Sequence, residues 1–304
     1  MGTGTLVVIG GPTASGKTAT AAALARHFGT EVISGDSRQF YRAMRIGTAR
    51  PSADELLGVA HHFIGHLELE ETWSAGEFAR QAEPVLQAIL RKHGIAVLVG
   101  GSGLYLHALT HGLDPMPLTD PHVRAGLQER LSDHGLPPLF AELERLDPTT
   151  AQVIDRHNPH RVIRALEVCL TSGEPYSQQR HGPAQRADMH VLRLAMDLPR
   201  EELYARIDAR VDRMIADGLE AEARSLLPFR HLNALRTVGY REFFEHFDGR
   251  ITHEEAILLI KQHSRNYAKR QLTWLRREMD WKWLRPGDME EVLRTVDEVR
   301  NGMP

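Results

Sequence analysis

The chain has 304 residues, 42% of them hydrophobic and 25% charged, with a net charge of −3. That length can bury a full core and suggests about two domains of ordinary globular composition. The charge excludes a broadly basic nucleic-acid coat, the single Cys169 excludes an intrachain disulfide framework or cysteine-built zinc finger, and no apolar run approaches the ~20 residues of a membrane span.

The first predicted strand starts within a few residues of Met1, so no signal peptide is expected and a cytoplasmic enzyme is the default. Leu6-Val7-Val8-Ile9 is a β-branched run suited to a buried parallel strand. It feeds Gly11-Pro12-Thr13-Ala14-Ser15-Gly16-Lys17-Thr18, which satisfies every constrained position of the phosphate-loop pattern G-x-x-x-x-G-K-[ST]. Residues 19–28, rich in Ala and Leu, predict a helix. A strand, a glycine-bearing turn and a helix N-terminus aim backbone N–H groups at an anion. Lys17 adds charge, and the Thr18 hydroxyl can hold Mg²⁺. A polyphosphate ligand is therefore expected.

Residues 31–34 predict a second strand, 77–93 a helix, and 95–99 a third strand ending in Gly100-Gly101-Ser102-Gly103, with a helix over 104–110. Repeated strand–helix units predict a parallel sheet with ligands at the carboxyl ends of its strands. The proline-rich stretch 112–117 marks a junction, and from 120 to about 172 the pattern is helical, with caps at Asp120-Pro121 and Asp147-Pro148. Residues 177–187 read as a loop. A strand over 189–196, a charged helix over 199–217 and two further helices follow, the last over 252–277. Residues 281–284 suggest a late strand, and the tail a solvated helix. The expected fold class is thus α/β: a P-loop NTPase-like parallel sheet core flanked by helices (1–117 and 189–304), with an all-helical insertion domain at 118–188.

Asp36-Ser37-Arg38-Gln39-Phe40-Tyr41 directly follows the second strand, at the same sheet edge as the phosphate loop. There the Asp36 carboxylate can be a Mg²⁺ ligand, a general base or a helix cap. The third strand ends in glycines instead of the Asp or Glu of a typical ATPase or GTPase metal site, which argues against a motor or switch GTPase. Its turn either presents the Ser102 hydroxyl to the crevice or is purely structural. His61-His62 lacks metal-ligand spacing, so packing or hydrogen bonding near the site is expected instead of zinc.

Arg206, Arg210 and Arg213 share a helix face, either solvated or reaching a leaving diphosphate. Residues 261–285 hold eight Lys and Arg against Glu278 and Asp280, a balance of +6. Lys261, Arg265 and Lys269 form one stripe, while Ile260, Tyr267 and Trp274 recur every seven residues on another face and are assigned to the core. An outward basic stripe suits a nucleic-acid backbone.

Together these features resemble the tRNA dimethylallyltransferase family, the tRNA isopentenyltransferases. The matching stretches are GPTASGKT at 11–18, DSRQFY at 36–41, IGTARP at 46–51, GGSGLY at 100–105, HRVIRALEV at 160–168, RTVGYRE at 236–242 and KRQLTWLRR at 269–277. They run almost end to end in the family's order. The resemblance implies that Gly11 to Thr18 hold the diphosphate of dimethylallyl diphosphate, with Thr18 near Mg²⁺. It implies that Asp36 is the general base for the adenine N6 amino group, that Ser102 helps the diphosphate leave, and that Arg210 contacts the diphosphate. It also implies tRNA contacts at Asp36, Ser37, Arg38, Gln39, Ser102 and Arg124, and at His160, Arg161, Val162, Ile163 and Arg164. Further contacts are implied at Arg236, Thr237, Val238, Gly239, Tyr240 and Arg241, and at Lys269, Arg270, Gln271, Trp274 and Arg276.

Ser102 stands where the family usually has threonine, and Gly65 where it commonly has Asp. Eukaryotic relatives add a zinc finger that one cysteine cannot build, so the bacterial type is the nearer match. The implied reaction moves a dimethylallyl group to N6 of adenosine 37 beside the tRNA anticodon, with the base flipped into a channel between core and insertion. Nothing in the sequence demands more than a monomer, and no membrane is involved. The alternatives are a small-molecule P-loop kinase, an AMP isopentenyltransferase and a non-catalytic RNA-binding protein; none gives joint purpose to the loop, Asp36 and the basic helix.

Overall fold

The computed structural model describes residues 4–302 except 115, 118–119, 181, 183–185, 187 and 278–279. Pro115 of the predicted junction, the predicted insertion start at Leu118 and part of the 177–187 loop fall outside them. The first elements are β1 (Gly4–Gly10), α1 (Lys17–Phe28), β2 (Val32–Ser34), β3 (His61–His62), α2 (Ala75–His93), β4 (Ile95–Gly100) and α3 (Gly103–His111). Helices α4 (Pro121–His134), α5 (Pro137–Leu146), α6 (Pro148–Val153) and α7 (Pro159–Ser172) follow. The chain continues with β5 (Met189–Met196), α8 (Arg200–Ala216), α9 (Leu219–Leu226), α10 (Tyr240–Phe247), α11 (His253–Arg277), β6 (Lys282–Leu284) and α12 (Met289–Arg300).

The six strands form one parallel sheet in the order β3-β2-β4-β1-β5-β6. Val7 of β1 lies opposite Val97 of β4 on one side and Leu192 of β5 on the other. Alternate strand residues serve opposite faces. Leu6, Val8, Ile33 and Leu98 pack with Phe78, Leu86 and Leu106, whereas Val7, Ile9, Val32, Val97 and Val99 pack with Leu24, Ala25, Val292 and Val296. Burial on both faces accounts for the unbroken apolar runs. Because β2, β4 and β1 are neighbours, the loops leaving their carboxyl ends share one rim, as Asp36, Ser102 and the phosphate loop require.

Two compact units emerge, one of Met1–Thr110 with Gln185–Pro304 and one of His111–Ala184. The helical unit thus begins before 118 and ends before 188. Arg186 belongs to the sheet unit because its guanidinium is paired with Glu83 of α2 and with Asp188, both at 2.7 Å. Inside the helical unit Leu127, Leu139, Leu143, Val162 and Leu166 form the core, with the buried Cys169 beside them. The expected segment between α8 and α11 holds two helices where one was predicted. Gly218 and Gly239, at φ 97° and 102°, supply the left-handed breaks that separate them.

A carboxylate in α9 sets the loop that carries the 46–51 motif. Glu222 accepts the backbone N–H groups of Arg45, Ile46 and Gly47 at 2.8–3.1 Å and the Tyr240 hydroxyl at 2.7 Å. Gly47 faces that ring so closely that a Cβ there would lie 2.5 Å from Tyr240 Cζ. Any side chain at 47 would push the loop off the helices.

At the far sheet edge Glu31 joins β2, β3 and α2, accepting from His62 Nε2 at 2.8 Å, Lys92 Nζ at 3.0 Å and His93 Nε2 at 3.3 Å. The His62 and Lys92 hydrogen bonds hold its carboxyl down at about 2, against an ordinary value of 4.5. A depressed carboxylate stabilises the fold fully above its unfolded pKa and loses that contribution as pH falls toward the folded one. Glu31→Gln should therefore cost about 1 kcal/mol at neutral pH after solvent screening. In urea denaturation the deficit should shrink steadily between pH 4.5 and 2; a deficit independent of pH would refute this role.

Candidate functional site

Gly10 ends β1, and the phosphate loop curls through left-handed conformations at Ala14 (φ 64°) and Gly16 (φ 87°) before α1 begins at Lys17. Ser15 N–H closes the turn on the Pro12 carbonyl at 3.2 Å. The Lys17 ammonium donates to the same carbonyl at 3.2 Å. Burial pushes Lys17 down to about 8, partly offset by the nearby Asp36 charge, while Arg210 pushes it lower. An anion beside Lys17 would reverse that shift.

Asp36, just past β2, accepts the Arg38 backbone N–H at 3.1 Å. From the turn after β4, Ser102 Oγ accepts the Ser37 N–H at 3.3 Å and shares a hydrogen bond with Ser37 Oγ at 3.1 Å. Tyr267 lies beside Ser102. Burial and the Asp36 charge push Tyr267 up to about 12, so the phenol keeps its proton. The Ser37 hydrogen bonds orient the Ser102 hydroxyl without the methyl group of a threonine. Arg210 of α8 reaches the loop, its guanidinium donating to Thr13 Oγ1 at 3.4 Å.

The phosphate loop, Asp36 and Arg210 meet in one cavity of about 280 Å³. Thr13, Lys17, Asp36, Arg210 and Gln271 line it together with Ile207, Val211 and Met214 of α8, Leu219 of α9, and Ile260, Ser264 and Tyr267 of α11. The spacings 207-211-214 and 260-264-267 each mark one helix face. Tyr267, assigned to the core from its seven-residue repeat, is instead a cavity residue. The periodicity correctly placed it with Ile260; only the packing of α11 against α8 revealed that this face borders a space.

The basic stripe is also corrected. Lys261 is paired with Asp212 and Arg265 with Asp208, both at 2.6 Å, so two of its three cations bind α8. Lys269, Arg270 and Arg276 remain exposed. Gln271 is buried, accepting the Thr13 N–H at 2.8 Å and donating to the Gly101 carbonyl at 2.9 Å. Trp274 packs beneath Gly103, where a Cβ would lie 2.0 Å from the indole. Tyr240, Val162 and Ile163 are buried as well, so their side chains offer no RNA-facing surface.

Arg236, Thr237, Val238, Gly239 and Arg241 line the cavity, as does Arg38, whose guanidinium donates to the Asn233 carbonyl at 3.2 Å. The Gln39 amide donates to the Thr48 and Ala49 carbonyls. In the helical unit His160 and Arg161 are exposed, and Arg124 and Arg164 converge on the buried Glu167 at 3.2 and 2.8 Å. No cluster of three or more His, Cys, Asp or Glu suited to a metal occurs among the described residues. Among them, too, no helix is long and apolar enough to cross a membrane.

The family model described as IPP transferase matches residues 39–278. The chain belongs to the IPP transferase family. A tRNA dimethylallyltransferase from Cytophaga hutchinsonii is 44% identical over 96% of both chains. Another, from Christiangramia forsetii, is 46% identical over 91% of this chain and 92% of its own. The crystal structure of the full-length tRNA isopentenylpyrophosphate transferase from Bacillus halodurans superposes with a TM-score of 0.71 at 37% identity, covering 98% and 96% of the two chains. The chain is accordingly an enzyme, a transferase, on a P-loop NTPase-like sheet.

Gln271 gives a direct test of the loop geometry. Gln271→Leu keeps the volume but leaves the Thr13 N–H and Gly101 C=O without their partner, and inorganic diphosphate affinity should fall about tenfold at an unchanged fold. Equal affinity in calorimetry would show that the clamp is dispensable. Calorimetry also reads Lys17: at pH 8, diphosphate binding should take up protons, because the charged ammonium is restored. The uptake, seen as buffer-dependent heat, should vanish in Lys17→Met; identical heats in both proteins would refute it.

Proposed function

We propose that this chain transfers a dimethylallyl group from dimethylallyl diphosphate to the N6 amino group of adenosine 37 beside the tRNA anticodon, releasing diphosphate. The observation that carries this reading is the composition of one cavity. A phosphate loop, a carboxylate and the apolar faces of α8 and α11 border the same 280 Å³. A phosphoryl transfer has no use for Ile207, Val211, Met214 and Ile260 beside the cradle, whereas a five-carbon isoprenoid tail does. The names of the relatives, tRNA dimethylallyltransferases, supply the nucleic-acid partner. The reading includes action as a monomer in the cytoplasm.

Adenine N6 is a weak nucleophile because its lone pair is delocalised into the ring. Asp36 accepts the N6 proton as the N6–C1 bond forms and the C1–O bond breaks, the electron pair leaving on the diphosphate oxygen. Lys17, Arg210 and the loop N–H groups hold the charge that gathers there. The Ser102 hydroxyl, oriented by Ser37, donates to the departing oxygen. The hard oxygens of Thr18 and Asp36 line a common cavity of about 240 Å³ beside Arg210, a donor set that suits Mg²⁺ supplemented by substrate phosphates. Thr18 would hold the ion, which when bound adds further neutralisation of the leaving diphosphate.

Incubation with prenyl-labelled dimethylallyl diphosphate and either tRNA or AMP decides the acceptor. Label should enter tRNA alone. Label on AMP, or phosphate passed from ATP to a small acceptor, would overturn the assignment. Asp36→Asn keeps an oxygen for the Arg38 N–H but cannot take a proton, so turnover should fall by about 10²–10⁴ with tRNA affinity unchanged. Wild-type turnover in that variant would remove Asp36 from the chemistry.

A further inference from the structure

His61, in the two-residue strand β3, has a fixed tautomer. Its Nδ1 lies 3.0 Å from the Val59 carbonyl, which can only accept, so Nδ1 carries the proton and Nε2 presents a lone pair. That Nε2 is buried with no hydrogen-bond partner among the described residues. Its neighbour His62 points to the other side of the sheet, toward Glu31, as strand alternation requires. His61 instead borders a cavity of about 10 Å³ with Lys17, Thr18, Ser34 and Asp36. The space is that of one ordered water. Burial, the largest influence, also lowers the imidazole's pKa, in keeping with a neutral ring.

An unpaired buried acceptor needs a donor. Lys17 donates to Pro12, and no donor among the described side chains around the cavity lies within hydrogen-bond distance of His61 Nε2. A water in the cavity supplies one, and a water polarised by a cation supplies a stronger one. We infer that His61 Nε2 accepts a hydrogen bond from a water of the Mg²⁺ shell at Thr18, making His61 a positioning residue for the metal–diphosphate complex. This rests on the diphosphate reading above and extends it to a residue that the sequence left without a role. The neutral ring is what the position requires, since an imidazolium would repel the cation and could not accept.

Two variants separate the acceptor from the fold. His61→Asn keeps an N–H for Val59 but has nothing at Nε2, whereas His61→Gln places an amide oxygen near the Nε2 position. The probes are inorganic diphosphate with Mg²⁺ in calorimetry and with Mn²⁺ in electron paramagnetic resonance, alongside thermal melting of the free proteins. Removing a partner in the outer metal shell costs 10–100-fold in metal affinity. His61→Asn should weaken metal binding to the diphosphate complex by about tenfold, His61→Gln should recover most of it, and diphosphate affinity without metal should not change. Wild-type metal affinity in His61→Asn would overturn the inference, as would equal weakening in both variants or weakened diphosphate binding without metal. If the metal data agree but no label ever reaches tRNA, the prenyl-transfer reading falls and the His61 assignment stands.

Discussion

The Gln271 carboxamide accepts the Thr13 N–H and donates to the Gly101 carbonyl, joining the phosphate loop, the turn after β4 and helix α11 at one buried point. The sheet brings the two loops to the same rim through the β4–β1 pairing, but pairing alone leaves loop conformations free. A carboxamide carries an acceptor and a donor side by side, so it satisfies an N–H and a C=O together. Because both partners are backbone groups, the clamp fixes loop shape without consuming the side chains of Thr13 or Ser102, which stay available to Arg210 and Ser37.

The wall of the cavity depends on how α8 and α11 meet. Asp208 with Arg265 and Asp212 with Lys261 pair the helices along one edge. The apolar residues at 207, 211 and 214 then border the same space as 260 and 267. Charges that in isolation resemble an RNA-binding stripe thus serve helix registration. Partly exposed pairs of this kind add little to stability, and their consequence lies in geometry. The exposed Lys269, Arg270, Arg276 and Arg277 are the lysines and arginines of α11 left for a polyanion.

Small residues do comparable work where backbone and ring must meet. Gly47 lies against Tyr240, whose hydroxyl completes the Glu222 shell around the 45–47 backbone. Gly103 lies on Trp274. Both glycines fall in motifs that look like ligand-binding loops, and both are required by packing. Motif membership therefore does not separate residues that touch substrate from residues that shape the loop.

The sequence by itself determined the sheet edge. Unbroken apolar strands, the spacing of the phosphate loop, and the positions of Asp36 and Ser102 directly after their strands are local patterns, and local sterics and hydrogen bonding decide them. Tertiary structure alone decided which side of each helix a polar or aromatic residue serves. Tyr267 moved from core to cavity, Gln271 from surface to clamp, Lys261 and Arg265 from free cations to paired ones, and His61 to the edge of the phosphate site. Helical periodicity states which residues share a face but not what lies opposite, and the opposing groups here are tens to hundreds of residues away.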